Sequence, residues 1–554
     1  MSLQANASKK PLTAPLVVVV GLVVALAAWS LPVNLKSVSP ALLRVAGEGT
    51  PTLAQFGRQL VDSEKIGPAG LTLAAARAVN DPGVSALEKD LAALSAHTPE
   101  LVAWGGWDPF LDPLFNLHEN KGRAASTPVL TFFITEKARA TLRDYLATSR
   151  SLGVQALLRT REVTATGRFV PVGQPGGQPL DAVILLTALL YQGEHLAPSL
   201  QRDLRSLAEA AVAQKDLGEL EPFFIDVLSL GKRLDWAQLG ELLRRTENTK
   251  TVGEYAHLAR VAPDELPLIY TAALFSGSAD QVAAYLIKYG KLGLADLRLA
   301  LADGQGAVNQ LLLWQVPVNH GASGGLDTAA SLVLLHPRLM IVLKYLGYVL
   351  GAFLIFWGLD RWIVTPVPGA TSGLPHMKSG VLALLFASLL IIATEPFLLK
   401  AAPPSEFRFR LVLPVLLSTS TTSAHPPVKP TPTMDASTLI SIGFFAMLQI
   451  AMYFTCLLKI REIARTTLPP LVKLRLMENE ENLFDGGLYV GIGGTATALV
   501  LQVLGVIEPN LLAAYSSNLF GITCVALVKI RHVRPYKRQL ILDTQAAVPL
   551  KTTP

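Results

Sequence analysis

The sequence predicts a polytopic α-helical membrane protein with six spans and one large exported domain of α+β, mainly helical, character. Three observations predict it. Six apolar stretches lie near 12–33, 339–359, 379–399, 437–458, 487–507 and 511–528, the first far from the other five. Charged residues make up only 16% of the 554 against about 25% in soluble proteins, the deficit that segments of roughly 20 apolar residues produce. Basic residues gather beside those stretches: Lys9 and Lys10, then Lys459, Arg461, Arg465, Lys473 and Arg475, then Lys529, Arg531, Arg534, Lys537 and Arg538. Such clusters orient spans. The net charge of +6 is therefore a topology signal, and nucleic acid is not an expected partner.

Taken in order, residues 1–11 are a cytoplasmic tail and 12–33 the first span. Lys9-Lys10, an apolar run and Ala25-Leu26-Ala27 also fit a secretory signal with a small-residue cleavage site. The apolar character continues through Trp29, Leu31 and Val33, long enough to span, so an uncleaved signal anchor is expected; either way the following domain is exported. Residues 34–337 form that domain, 338–399 spans two and three, and 400–436 an external Pro/Ser/Thr-rich loop. Span four is 437–458, a cytoplasmic loop 459–485, a tight two-span hairpin 486–530 and a basic cytoplasmic tail 531–554. Both termini come out cytoplasmic, with 34–337 periplasmic or extracellular, which points to a bacterial inner membrane. Lys400, Arg408, Arg410 and Lys429 in the external loop run against the bias.

Both cysteines, Cys456 and Cys524, fall within spans, so the exported domain has neither a disulfide nor a cysteine metal site. At about 300 residues it is large enough to stand on its core alone. Residues 52–96 read as helical, with breaks at Gly67-Pro68 and Asp81-Pro82. A β-rich patch is expected next: Val129 to Ile134 is β-branched and aromatic, and Val154–Thr164 and Arg168–Val172 flank Ala165-Thr166-Gly167 like a hairpin. Beyond Gln174-Pro175-Gly176-Gly177 the chain reads helical again to about 313. Leu200, Leu204, Leu207 and Ala211 share one helix face, as do Val282, Leu286 and Tyr289, and Asp235, Asp264 and Ser278 stand where N-caps are expected. An antiparallel helical array without a fixed repeat period follows.

No catalytic constellation, metal-ligand spacing or cofactor motif is visible. Gly321-Ala322-Ser323-Gly324-Gly325 matches G-x-S-x-G in form, but it precedes a span, where a linker is expected rather than a strained strand-to-helix turn. Trp104 and Trp107, on a Gly/Pro loop, are a candidate ligand-stacking pair, although tryptophans so placed more often anchor their loop in the core. Asp108 and Asp112 are each followed by proline and are not expected to act as an acid–base pair. The nine histidines, Glu194-His195 among them, show no ligand spacing and are expected at surfaces or caps. Phe407 to Leu413 alternates as a strand would, pairing with the protein itself or adding to a partner's sheet. Within the spans, Lys344 is expected to snorkel outward and Glu395 to sit near water at a span end.

The final hairpin has the most specific pattern. Gly487, Gly491, Gly494 and Ala498 fall on one face of the fifth span, and Ala514, Ser517, Gly521 and Cys524 on one face of the sixth. Small residues at this spacing let helix backbones approach closely, and the three-residue turn Glu508-Pro509-Asn510 makes the two spans neighbours. Gly491-Ile492-Gly493-Gly494-Thr495, followed by Ala514-Tyr515-Ser516-Ser517-Asn518-Leu519-Phe520-Gly521-Ile522, resembles the last two helices of the MotA/TolQ/ExbB proton-channel family. The resemblance implies that Thr495, Ser516 and Ser517 line a proton path, with the essential carboxylate on a partner protein. It covers roughly 40 residues with a degenerate motif; the short 459–485 loop, the exported domain and the three extra spans are foreign to the family.

The expected function is a non-catalytic membrane scaffold whose exported domain binds other envelope components or a second copy of itself. Membrane lipid is a further expected partner, and no cofactor is expected. A proton-conducting or energy-coupling subunit and a membrane-anchored exported enzyme are the alternatives.

Overall fold

In the computed structural model, residues 13–117, 125–321, 327–363, 375–399, 406–407, 436–503 and 511–546 are described. They are mainly helical and fall into two compact units. One comprises the chain up to Ser39, Asn319–Ala402 and the chain from Val415 on; the other comprises Pro40–Val318 with Pro403–Pro414. The globular unit is therefore shorter at both ends than the expected 34–337.

Among the described residues no strand forms, and only isolated bridges occur, Val33 to Val38 and Ala165 to Asp216. The expected β-patch is helical. Val129–Phe133 is a helix whose first amide donates to the Leu234 carbonyl at 2.9 Å, and Leu152–Arg159 is a second helix that runs into a 3-10 turn, Thr160–Glu162. Short apolar runs cannot be assigned to strand or buried helix by pattern alone, and no partner strand exists among the described residues. The expected hairpin turn is a loop held by a carboxylate: Glu221 accepts the amides of Gly167, Arg168 and Phe169 at 2.8, 2.6 and 2.9 Å.

The remaining helices of this unit follow their sequence signals closely. Leu53–Asp62 carries a capping box between Thr52 and Gln55. The break expected at Gly67-Pro68 lies earlier, because proline is tolerated in the first turn of the Ile66–Ala78 helix. Asp81 ties the next corner, accepting from Ala54 N and Gly83 N. In Pro198–Gln214 the side chains of Leu200, Leu204 and Ala211 are buried, and in Ala279–Asp303 so are Val282, Leu286 and Tyr289. Gly290, at φ 58°, kinks that long helix. Asp235 and Ser278 cap as expected; Asp264 does not, since it lies within the 3-10 turn Pro263–Glu265.

In the other unit, two helices among the described residues are long and apolar enough to cross a membrane, Pro337–Trp362 and Ile442–Arg465. The expected count of six is not reached. Thr13–Trp29 has 17 residues and rises about 26 Å, short of a hydrocarbon core of about 30 Å. Ser379–Thr394 is also a shorter apolar helix. Gly486–Val503 and Leu511–Val528 have 18 residues each and adjoin 504–510, outside the described residues.

Helix Thr13–Trp29 packs along Pro337–Ile363 through glycines. A Cβ on Gly21 would come 2.8 Å from the Gly351 carbonyl, one on Gly351 would come 2.8 Å from the Gly21 carbonyl, and one on Gly358 would come 2.6 Å from Val18. Gly347 and Gly351 form the small-xxx-small pattern that permits this approach. The segment expected as a simple cytoplasmic loop and tail is also structured. Helices Pro470–Asn479, Glu481–Phe484 and Arg534–Ala546 enclose Ile460, Met477, Phe484, Val533 and Leu540, and Lys529 pairs with Asp485 at 2.7 Å.

Candidate functional site

The hairpin glycines bring Gly486–Val503 and Leu511–Val528 into backbone contact and admit side chains of the Ala436–Arg465 helix against them. A Cβ on Gly491 would meet Ser517 O at 3.0 Å and Gly521 Cα at 3.3 Å, while one on Gly521 would meet Gly487 O at 2.6 Å. On Gly494 it would meet Ser517 Oγ at 2.4 Å and Phe445 of the Ala436–Arg465 helix at 2.8 Å. Gly493, one position off that face, has nothing within 4 Å. Gly487, Gly491, Gly494, Ser517 and Gly521 thus sit at the contact, whereas the side chains of Ala498 and Ala514 lie outside the described residues.

A polar layer runs through this contact. Ser517 is fully buried, and its hydroxyl donates to the Gly491 carbonyl at 3.2 Å. Thr495, half-buried, donates to the same carbonyl at 3.0 Å, one turn back in its own helix, and Ser516 is half-buried on the other helix of the pair. The sequence reading missed Gln449. This residue, 4% exposed, donates Nε2 to the Gly487 carbonyl at 3.0 Å. Among the described residues its Oε1 and the Oδ1 of Asn518 have no hydrogen-bond partner. An amide in an otherwise apolar helix was the available signal. Such a layer passes hydrogen bonds between helices and leaves acceptors for water, but it contains no carboxylate or lysine, so proton movement along it needs a titratable group from elsewhere.

Lys344 and Glu395 depart from expectation. Lys344 is buried rather than snorkelling, because the turn after Val33 offers it oxygens: Nζ donates to Val33 O at 2.6 Å and Asn34 Oδ1 at 2.8 Å. Glu395 is fully buried and accepts from Leu35 N at 2.9 Å and from the Tyr345 hydroxyl. Together the two side chains pin the 33–35 segment to helix Pro337–Ile363 and to the end of helix Pro375–Thr394.

In the globular unit, the two tryptophans do not make a shared platform. Trp104 is buried, stacked on Phe132 at 4.0 Å and near Phe133, while Trp107 is 47% exposed. Their loop instead delivers Asp108 to His195, with Oδ2 and Nε2 2.8 Å apart, both buried, and the imidazole meets Trp236 edge-on at 5.0 Å. Burial pushes the Asp108 carboxyl up, but His195 and the Phe110 amide outweigh it and leave it below the usual carboxylate value. His195 is thus a core residue and not a surface or cap one. Asp112 turns away, accepting from Leu117 N at 3.0 Å.

Next to Trp236, Asp235 lies in contact with two glycine backbones: a Cβ on Gly67 or Gly105 would come within 2.1 or 2.3 Å of its carboxyl. It accepts from Ser126 Oγ at 2.6 Å and Gln238 N at 2.8 Å, yet complete burial raises its pKa to about 7. Glu241, six residues on in the helix that Asp235 caps, shows the opposite balance. Burial raises it, but Lys65 at 2.7 Å and Arg245 at 2.6 Å bring it down to about 2.

Among the described residues no three His, Cys, Asp or Glu side chains converge as metal ligands. Residues 322–326 of the G-x-S-x-G run, the turn 508–510, and 408–413 of the alternating segment lie outside the described residues. No protein-family model, no curated protein and no solved structure matches this chain.

Proposed function

We propose that this chain is an integral protein of a bacterial inner membrane whose exported helical domain binds or scaffolds other envelope components without catalysing a reaction. One observation carries the proposal: the buried charges of the globular unit are engaged in holding its own helices. Glu221 gathers three loop amides, Asp181 takes Arg139 and Arg161 at 2.7 Å each, and Glu241 takes Lys65 and Arg245. Satisfied networks of this kind rigidify a fold and suit a preshaped binding surface. Threading with six spans, both termini cytoplasmic, is part of the proposal; the shorter helices cross by local bilayer thinning. The glycine contact of Gly21 with Gly351 supports retention of the first span as an anchor. Lipid, other envelope proteins and a second copy of the chain are the proposed partners. Purification of the full chain in mild detergent, against a deletion of 34–337, tests it. Loss of co-purifying envelope proteins on deletion is expected, and their unchanged recovery overturns the scaffold role.

A second function, a proton-conducting or energy-coupling subunit of MotA/TolQ/ExbB type, is favoured by one feature, the acceptors of Gln449 and Asn518, unpartnered among the described residues, beside Ser517 in the three-helix contact. In that role Thr495, Ser516 and Ser517 line the path and a separate protein supplies the carboxylate. Thr495→Val and Ser517→Val then abolish proton flux into protein-loaded vesicles while leaving assembly intact. Flux unaltered by both variants sinks this alternative.

A further inference from the structure

A cavity of about 480 Å³ opens between helices Pro337–Ile363, Pro375–Thr394 and Ala436–Arg465. Small residues create it. Gly380 leaves space in which a Cβ would meet nothing within 4 Å, and Ala451 faces the same gap from the third helix. Leu350, Phe353, Leu384 and Phe454 form the walls. No side chain lining it donates or accepts a hydrogen bond, and water needs two to four polar partners to stay in such a place. Both helices long and apolar enough to cross a membrane line it, so the medium at its mouth, on the membrane reading above, is hydrocarbon.

We propose that this groove seats one acyl chain of a bilayer phospholipid. At about the share of volume a water takes in the liquid, ~30 Å³, 480 Å³ holds roughly 16 groups the size of a methylene, the length class of a single acyl chain. Three helices surround such a chain where a flat helix face touches it from one side only. Dispersion contacts scale with that enclosure, so the seated chain exchanges more slowly than the lipids around it. The groove is thereby a site, distinct from the generally apolar exterior at Leu519 and Ile522, which are 62% and 51% exposed.

The test uses the full chain in phospholipid nanodiscs containing a phosphatidylethanolamine with a photoactivatable acyl chain, followed by peptide mapping of the label. Label on Leu350, Phe353 and Leu384 is expected to exceed that on Leu519 and Ile522 several-fold. Gly380→Leu, whose Cβ meets nothing within 4 Å, should reduce it to the level of those exterior positions, and Ala451→Leu does the same from another helix. Equal labelling of groove and exterior in the wild type, or labelling indifferent to both variants, overturns the site while leaving the membrane reading intact. A chain that stays outside the nanodiscs and takes up no label overturns both.

Discussion

At Asp235 a capping role and complete burial oppose each other. The carboxylate is needed to accept from Gln238 N and Ser126, but it has been moved out of water, and its pKa rises to about 7. A folded-state value above the ordinary 3.8 means that the folded protein binds this proton more tightly than the unfolded chain. The group therefore costs nothing below about pH 4, and the cost grows as pH rises, to at most about 4 kcal/mol above pH 7. Asp235→Asn keeps the cap and the shape; thermal unfolding should show it more stable than the wild type at pH 8 and equal near pH 4. An advantage that does not change with pH contradicts this account. Glu241 has the reverse sign. Its depressed value gives stability that is complete above the ordinary 4.5 and lost as pH falls through about 2. Glu241→Gln is expected to cost about 3 kcal/mol at pH 7 in denaturant unfolding, since it leaves Lys65 and Arg245 facing a neutral group.

Between helices, glycine position matters more than glycine number. Gly521 and Gly493 both belong to the hairpin, yet a Cβ on the first meets a carbonyl at 2.6 Å and on the second meets nothing. Gly521→Leu should separate the pair and abolish recovery of monodisperse protein in detergent, whereas Gly493→Leu should be tolerated. Equal behaviour of the two variants in size-exclusion chromatography is incompatible with the packing described. The same reasoning applies to the Gly21–Gly351 contact: Gly347 and Gly351 stand four apart in the sequence, but a glycine spacing identifies a close-packing face only once a partner helix is known. Gln449 was harder to find. One amide in an apolar helix is a weak signal until the Gly487 carbonyl stands 3.0 Å away.

At the scale of the whole molecule, sequence determined the division into an apolar, helix-built part and an inserted globular one. It also determined the helical character of most segments and the small-residue face of the final hairpin. These follow from local properties: hydropathy, 3.6-residue periodicity and the size of side chains at three- and four-residue spacing. Tertiary structure decided the rest. It turned Val129–Phe133 and Leu152–Arg159 into helices, because a short apolar run takes its conformation from the surfaces it meets. It moved the edges of the globular unit to Pro40 and Val318 and folded the expected loop and tail into a core shared with Cys456, Cys524 and Val528 of the apolar helices. It also decided the fate of the ionisable groups. Lys344, Glu395 and His195 read in sequence as peripheral, yet all are buried, for the partners that make burial tolerable are 50 to 360 residues away along the chain. Hydropathy is a property each residue carries with it; the satisfaction of a buried charge exists only when the partners have been brought together.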